Sequence, residues 1–292
     1  MSTPSPPEVP SLAELRQEID RLDEGMHSLL LQRGEIISKL IKAKQMQETG
    51  SAFRPAREAQ MMRRLVARHR GILPLDTAES IWRVIIATFT YVQAPFSVHA
   101  DLSAGDARMR DSVRFHFGFT VPFVAHIGAD SVVASVSASR GDLGLVPAFD
   151  VAGDGAWWTA LEAESAPKII ARLPFIERRD HPAAISVFVL SRAAPDAMVK
   201  EIEMWSVRIA GWNTRAAREL AMLADVIAVP EGAFEGAALL VSVPQDHSIE
   251  GVIGLLVGAG ASVRSSTLVG SHATRYKLPD VPRRAEAAPT GA

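Results

Sequence analysis

Residues 11–47 read SLAELRQEIDRLDEGMHSLLLQRGEIISKLIKAKQMQ and decide the fold of the N-terminal part of the chain. Ser11 with Glu14 is a capping-box signature, so we expect a helix to begin here. Apolar residues then recur in steps of three and four, which is helical spacing, at Leu15, Ile19, Leu22, Met26, Leu29, Ile36, Ile37, Leu40 and Ile41. The pattern predicts a helix that continues to about Gln47, and a helix this long favours a bundle or coiled-coil partner.

Two cations interrupt this apolar seam. Arg33 takes the next seam position after Leu29, and Lys44 takes the next position after Leu40. A cation that faces a core is costly unless an anion meets it, so the pattern predicts a small anionic ligand between these side chains, which are about 16 Å apart on one face. Arg16 lies about 25 Å from Arg33 along the axis, so it would serve a site formed with a second copy of the chain. The alternative is that all three are surface cations.

The composition excludes several classes of function. The 292 residues are 48% apolar and 22% charged, which is ordinary for a globular protein of two or three domains. A net charge of −2 favours no nucleic-acid partner. The chain has no cysteine, which excludes disulfides and thiolate metal sites and fits the cytoplasm, where we expect the protein. No apolar run reaches about 18 residues, so no membrane span is predicted, and residues 1–10 are expected to be a disordered leader.

Two further helices are predicted in the first hundred residues. One covers about 55–69, and the next is capped by Asp76 with Glu79 and ends before Pro95. Since three helices cannot bury the long first one by themselves, residues 11–96 are predicted to form an all-α, dimeric helical bundle.

After Pro95 the pattern becomes α/β, because short strand-like and helical segments alternate. Strands are predicted at 112–117, 143–146, 168–173 and 184–190, and helices at 129–139 and 157–164. The last part has the βαββαβ order of a ferredoxin-like unit. Its elements are predicted at 206–210, 214–223, 225–229, 238–243, 248–258 and 261–268, with a further strand over 273–277. Residues 280–292 are expected to be a disordered tail.

The helical part contains a series of motifs in a fixed order. They are Leu15-Arg16-x-x-Ile19-Asp20-x-x-Asp23, Leu29-Leu30-x-x-Arg33, Lys44, Arg57-Glu58, and Ile85-Ile86 followed by Gln93. Together they resemble the all-helical class of chorismate mutase. The resemblance implies an isomerase that is a dimer of three-helix chains, in which the first helices cross the interface and Arg16 enters the second copy's site.

The resemblance also implies a role for each motif residue. It assigns the two carboxylates of chorismate to Arg33 and a second copy's Arg16, the ether oxygen to Lys44 and Gln93, and the ring hydroxyl to Glu58, with Arg57 beside it. The conversion of chorismate to prephenate is unimolecular and needs no cofactor or metal. Fixed cations hold the dianion in a compact conformer, and donors at the ether oxygen stabilise the charge that develops there.

One departure from the family pattern concerns the third helix. Phe89 stands where a serine is common, four residues before Gln93, and Thr88 or Thr90 is the expected substitute. The change bears on the ring side of the substrate, so cleavage of isochorismate with release of pyruvate stays an alternative.

The fusion of such a mutase to an α/β region and then a βαββαβ unit resembles a bifunctional chorismate mutase–prephenate dehydratase. The resemblance implies a periplasmic-binding-protein-like α/β domain, assigned to 105–198, and an α+β, ACT-like domain, assigned to 203–279. The supporting segments are Gly141-Asp142-Leu143-Gly144-Leu145-Val146-Pro147 and Ser186-Val187-Phe188.

Two departures argue against dehydratase activity. Ala148 begins the segment where the family has Glu-Asn-Ser, and Val187 replaces the arginine of Thr-Arg-Phe. Losing an arginine from a dicarboxylate pocket is costly, so the α/β domain is predicted to be inactive. In the ACT-like part, Arg264-Ser265-Ser266 lies roughly where phenylalanine-binding members have Glu-Ser-Arg-Pro, but a packing or dimerisation role is favoured.

The predicted function is therefore a chorismate mutase of phenylalanine and tyrosine biosynthesis, a homodimer whose small-molecule partners are chorismate and prephenate. A true bifunctional mutase–dehydratase stays an alternative. So does a non-catalytic sensor of aromatic-pathway metabolites.

Overall fold

The computed structural model describes residues 10–44, 52–151, 154–183, 185–192, 199–231 and 236–278. The predicted disordered leader and tail lie outside these ranges, except for Pro10. The chain divides into two compact units, residues 1–48 and 49–292. The predicted domain limits at 11–96, 105–198 and 203–279 stay predictions.

The first unit contains one long helix, α1, Leu12–Lys44. It begins with the predicted capping box: Ser11 N–H donates to Glu14 Oε2 at 2.8 Å, and Glu14 N–H donates to Ser11 Oγ at 3.3 Å. The capping prediction is confirmed. The predicted continuation to Gln47 lies outside the described residues.

The second unit begins with α2 (Pro55–Arg68) and α3 (Leu75–Gln93), which confirm the other two predicted helices. The elements that follow are β1 (Val98–Asp101), α4 (Asp106–Phe117), β2 (Phe123–His126), α5 (Ala129–Ala138), β3 (Leu143–Pro147), a 3₁₀ helix (Trp157–Leu161), β4 (Lys168–Leu173), β5 (Ile176–Glu177), β6 (Val187–Ser191), β7 (Ile202–Ala210), α6 (Thr214–Leu220), β8 (Asp225–Glu231), β9 (Gly236–Pro244), α7 (Ile249–Gly258), β10 (Ser262–His272) and β11 (Tyr276–Lys277). A helical N-terminal part followed by a mixed α/β part is therefore confirmed.

Nine of the described strands form one sheet in the order β2-β1-β3-β6-β4-β10-β7-β9-β8. Strand β1 pairs in parallel with β2 and β3, whereas β7, β8, β9 and β10 pair antiparallel. The predicted βαββαβ order is confirmed from β7 to β10. Strands β4 and β10 pair in parallel at Gly270, and this pairing joins the β2-β1-β3-β6-β4 part of the sheet to the β10-β7-β9-β8 part. A Cβ at position 270 would collide with the carbonyl oxygen of Ile169, so only glycine permits this approach.

Alternate residues of the central strands face opposite sides of the sheet. Val187 and Val189 of β6 face a core that α2, α3 and α4 cover. Phe188 and Leu190 face a second core, which α5 and the 3₁₀ helix cover. A third core lies under α6 and α7.

Some predictions of secondary structure were wrong. The predicted strand at 112–117 lies within α4, because Met109, Val113 and Phe117 recur at helical spacing on its buried face. The predicted helix at 157–164 is only a short 3₁₀ helix, and the predicted strand at 273–277 is reduced to β11. Strands β1 and β2 are additional, and each has only four residues.

The predicted cap of α3 was also wrong. The residue before α3 is Pro74, which supplies no side-chain cap. Asp76 pairs instead with Arg178, at 3.1 Å, and Glu79 pairs with His181, also at 3.1 Å. Both carboxylates of the predicted cap are therefore bound by residues that are distant in sequence.

Candidate active site

The three cations that the sequence singles out on the first helix all lie on α1. Arg16 is exposed, Arg33 is half-buried, and Lys44 is the last residue of the helix. The apolar seam is exposed from Leu15, at 46%, to Leu29, at 65%, whereas Ile37, Leu40 and Ile41 near its end are half-buried. An apolar stripe of this length on a helix is typical of a surface that packs against a partner.

Glu58 lies on α2 and is only 4% exposed. Its Oε2 accepts a hydrogen bond from Nη1 of Arg83 at 2.5 Å, and Arg83 on α3 is fully buried. The guanidinium carbon lies 6.0 Å from the ring centroid of Phe117 and 5.2 Å from that of Phe175. Burial raises the pKa of Glu58, and the positive charge of Arg83 opposes that rise. A charge-assisted hydrogen bond therefore joins α2 to α3 in a dry environment.

A second buried polar pair lies beside the first. His181 Nε2 donates to Oε2 of Glu79 at 3.1 Å, and His181 Nδ1 accepts from the N–H of Ala183 at 3.0 Å. His116 of α4 stacks on His181 with ring centroids 6.2 Å apart. Burial lowers the pKa of His116 well below its ordinary value, and the positive charge of Arg83 lowers it further.

The other predicted site residues of the second unit lie on α2 and α3. Arg57 is exposed, and Thr88 is half-buried. Gln93 is the last residue of α3, and its Nε2 donates to the carbonyl oxygen of Phe89 at 2.9 Å, which leaves one amide hydrogen for another acceptor. The exposed apolar residues on α3 are Ile81, Val84 and Val92, at 44%, 37% and 54%.

The structure thus gives Glu58 a partner that the sequence reasoning missed. The signal was present, because Arg83 lies three residues before Ile86 and four before Ala87, at helical spacing from apolar positions of α3. A cation at a seam position is the feature that identifies Arg33 and Lys44 on α1. The grouping of Arg16, Arg33, Lys44, Arg57, Glu58, Thr88 and Gln93 in one site stays a prediction.

We expect the free energy of unfolding to fall below pH 6.5, because His272 is buried in its neutral form. It is 1% exposed, its Nδ1 donates to the carbonyl oxygen of Ala273 at 2.9 Å, and burial lowers its pKa from 6.5 to about 4. Between pH 6.5 and about 4, His272 takes up a proton in the unfolded chain but not in the folded chain. The stability is therefore complete above pH 6.5 and is lost as the pH falls toward 4, by up to about 3 kcal/mol at 1.36 kcal/mol for each pKa unit.

Urea unfolding between neutral pH and pH 4 measures this loss. The variant His272→Phe lacks the titrating group, so its stability should change less with pH than that of the wild type. The exposed His247 provides the control, and His247→Phe should keep the wild-type pH dependence. Equal pH dependence in the wild type and His272→Phe would contradict the expectation.

Comparison with known proteins identifies a family that the N-terminal helices match. Residues 15–94 match the family model described as chorismate mutase type II. No curated protein matches the chain. A structure of GqqA, described as a novel type of quorum quenching acylases, is 13% identical with a TM-score of 0.38 and covers 61% of this chain and 94% of its own. A prephenate dehydratase from Streptococcus mutans is 12% identical with a TM-score of 0.37 and covers 62% of this chain and 99% of its own.

The two structural likenesses are too weak to carry an argument about fold or activity. The family match is different in kind, because it runs from Leu15 on α1 to Ala94 directly after α3 and so includes each of the three helices. In the described part of the chain, no helix combines the length and the apolar run that a membrane span needs. Residues 15–94 therefore match a chorismate mutase type II domain, and a match to such a domain indicates an isomerase.

Proposed function

We propose that the chain converts chorismate to prephenate, in the cytoplasm, for the synthesis of phenylalanine and tyrosine. The observation that carries the proposal is the match of residues 15–94 to the chorismate mutase model. Within that range Arg33 and Lys44 interrupt the apolar seam of α1, where a dianionic substrate would offset their charge.

The proposed residues suit the rearrangement of a dianion. Guanidinium groups bind carboxylates in a bidentate manner, so Arg33 and a second copy's Arg16 would hold chorismate in the compact conformer that reacts. As the C–O bond breaks, negative charge gathers on the ether oxygen. Lys44 and the free amide hydrogen of Gln93 would donate to that oxygen more strongly in the transition state than in the ground state.

The ring side of chorismate is assigned to Glu58, Arg57 and Thr88. Glu58 would accept the hydrogen bond of the ring hydroxyl, while the bond from Arg83 fixes the orientation of the carboxylate. Burial raises the pKa of Glu58, and the adjacent Arg83 opposes that rise and so favours the charged form, which accepts this bond. Thr88 would supply the hydroxyl that is missing at Phe89.

We further propose a homodimer in which the α1 helices cross. A helix of 33 residues is about 50 Å long, and the seam from Leu15 to Leu29 is exposed along it. A second α1 helix would cover this stripe in an interface that is the same on both chains. Each dimer would then hold two sites, with Arg16 from one chain and both Arg33 and Lys44 from the other.

Mixing two inactive variants is expected to restore activity in such a dimer. Arg16→Ala and Lys44→Ala chains should each be inactive alone. In a mixed dimer one site combines the intact Arg16 of one chain with the intact Lys44 of the other. Random pairing of equal amounts should therefore restore about one quarter of the wild-type rate, because half the dimers are mixed and half their sites are complete. The rate is measured as chorismate consumption after joint refolding.

The matched control is a mixture of Arg33→Ala with Lys44→Ala. Both residues serve the same side of each site, so no mixed dimer contains a complete site and no activity should return. If neither mixture recovers, or if light scattering finds a monomer, the crossed dimer is wrong. Chorismate turnover by the wild type tests the mutase proposal separately.

The alternatives are distinguished by substrate. Robust formation of phenylpyruvate from prephenate would indicate the bifunctional enzyme, which we do not expect because Ala148 and Val187 replace family residues. Release of pyruvate from isochorismate would indicate the related lyase reaction. Absence of turnover with all three substrates would favour the non-catalytic sensor.

A further inference from the structure

Helix α3 carries an acid and a base at a spacing that ordinarily forms an ion pair. Glu79 and Arg83 are four residues apart on this helix, and they are 1% and 0% exposed. The structure does not form this pair. Among the described residues, Oε1 of Glu79 and both Nε and Nη2 of Arg83 have no hydrogen-bond partner. The guanidinium binds Glu58 of α2 instead, through Nη1.

The other oxygen of Glu79 is bound by His181, which belongs to the α/β part that follows α3. Nε2 of His181 donates to Oε2 of Glu79 at 3.1 Å, and Nδ1 accepts from the N–H of Ala183 at 3.0 Å. Arg178 donates twice to Asp76, at 3.3 and 3.1 Å, and so fixes the same segment to the first turn of α3. His181 therefore occupies the acid that would otherwise compete for the guanidinium.

Two aromatic rings of the α/β part also hold the guanidinium of Arg83. Its carbon lies 5.2 Å from the ring centroid of Phe175, which lies between β4 and β5, and 6.0 Å from that of Phe117 at the end of α4. The attraction between a cation and a ring face is strongest where water is excluded, and the two rings are only 4% and 1% exposed. The rings thus stabilise the guanidinium in the position from which it reaches Glu58.

Few other charges act on the carboxylate of Glu58. Burial raises its pKa, and the charge of Arg83 and, to a smaller extent, that of Arg57 oppose the rise. His116 of α4 stacks on His181, but burial lowers the pKa of His116 well below its ordinary value, so it carries no charge at neutral pH. The charge on Glu58 therefore depends mainly on whether Arg83 stays bound to it.

We propose that His181 is a positioning residue of the proposed mutase reaction. It binds Glu79, so that Arg83 remains bound to Glu58. The inference rests on the proposed function, in which Glu58 accepts the hydrogen bond of the ring hydroxyl of chorismate. Without His181, the spacing on α3 lets Arg83 turn to Glu79, and Glu58 loses the cation that favours its charged form. The α/β part would thus control a mutase residue without contacting the substrate.

The pH profile of kcat/KM tests this positioning, because its acid limb reports the protonation of Glu58 in the free enzyme. His181→Phe keeps a ring against Phe115 but removes the donor to Glu79. The acid limb should move to higher pH by about one unit or more, as expected for a carboxyl that loses an adjacent cation. Adding Glu79→Gln removes the competing charge and should return the limb to its wild-type position. A merely structural role of His181 would change stability and leave the limb in place.

The matched control is His272→Phe, which replaces another buried histidine of the second unit and should keep the wild-type limb. Phe175→Leu removes one ring from Arg83 and should move the limb in the same direction, so it keeps the test valid if His181→Phe does not fold. A ¹³C NMR titration of the glutamate carboxyl groups should show the same shift in the free chain. The signal of Glu58 is assigned from its loss in Glu58→Gln.

The inference is overturned if Glu58 titrates as in the wild type in the folded His181→Phe and Phe175→Leu variants. It is also overturned if Glu79→Gln does not restore the limb that His181→Phe moves. The NMR titration needs no substrate, so it separates this failure from that of the mutase proposal, which an absence of chorismate turnover by the wild type would refute.

Discussion

Replacing Lys44 by alanine is expected to lower the kcat of chorismate conversion by about 10²–10³-fold, with the fold retained. Lys44 is the proposed donor to the ether oxygen, where negative charge develops as the C–O bond breaks. Removing a donor that is aimed at developing charge raises the barrier without an equal loss of substrate binding, so KM should change much less than kcat. Steady-state chorismate consumption separates the two parameters.

The matched control is Lys39→Ala on the same helix. Lys39 is exposed and lies five residues before Lys44, so the two variants remove the same side chain from α1. Circular dichroism should show equal helix content in both, and Lys39→Ala should keep the wild-type kcat. A Lys44→Ala protein as active as the wild type would refute the proposed mechanism, and equal losses in both variants would indicate an effect on helix or dimer stability.

The fold was predictable where local pattern and tertiary packing agree. The three helices of the N-terminal part and the βαββαβ unit follow from periodicity, caps and turn residues. The prediction failed at 112–117, where alternating apolar residues also fit the buried face of α4. It failed again at Asp76 and Glu79, because Arg178 and His181 bind those carboxylates from about a hundred residues away, and no local rule includes such partners.

The residues of the candidate site were also predictable only where the local pattern identifies them. Arg33 and Lys44 are identified by their seam positions alone, whereas Glu58 acquires its environment from Arg83, 25 residues later. Ser186 also has a partner that the sequence did not predict. The next residue is Val187, so no arginine is expected beside Ser186. Arg172 nevertheless donates to Ser186 from the adjacent strand β4, because β4 and β6 pair antiparallel. Contacts across a sheet depend on strand register, which a single sequence specifies weakly.

Replacing Arg83 by methionine is expected to lower the free energy of unfolding by about 3–5 kcal/mol. Methionine keeps the length and much of the apolar stem, so the change removes mainly the charge. It leaves Glu58, 4% exposed on α2, without the cation that opposes its desolvation. An uncompensated buried carboxylate must either remain charged at high cost or take up a proton, and each outcome weakens the folded state at neutral pH. Urea unfolding followed by circular dichroism measures the loss.

The double variant Glu58→Leu with Arg83→Met separates the unpaired charge from lost packing. Removing both partners leaves no buried charge, so most of the stability lost in Arg83→Met should return, although the mutase activity proposed to need Glu58 should not. The half-exposed pair of Arg63 and Glu201 provides a matched comparison, and Arg63→Met should cost only about 1 kcal/mol or less because water screens the remaining acid. If the double variant is as unstable as Arg83→Met, the guanidinium stabilises the core through its contacts with Phe117 and Phe175 rather than by neutralising Glu58.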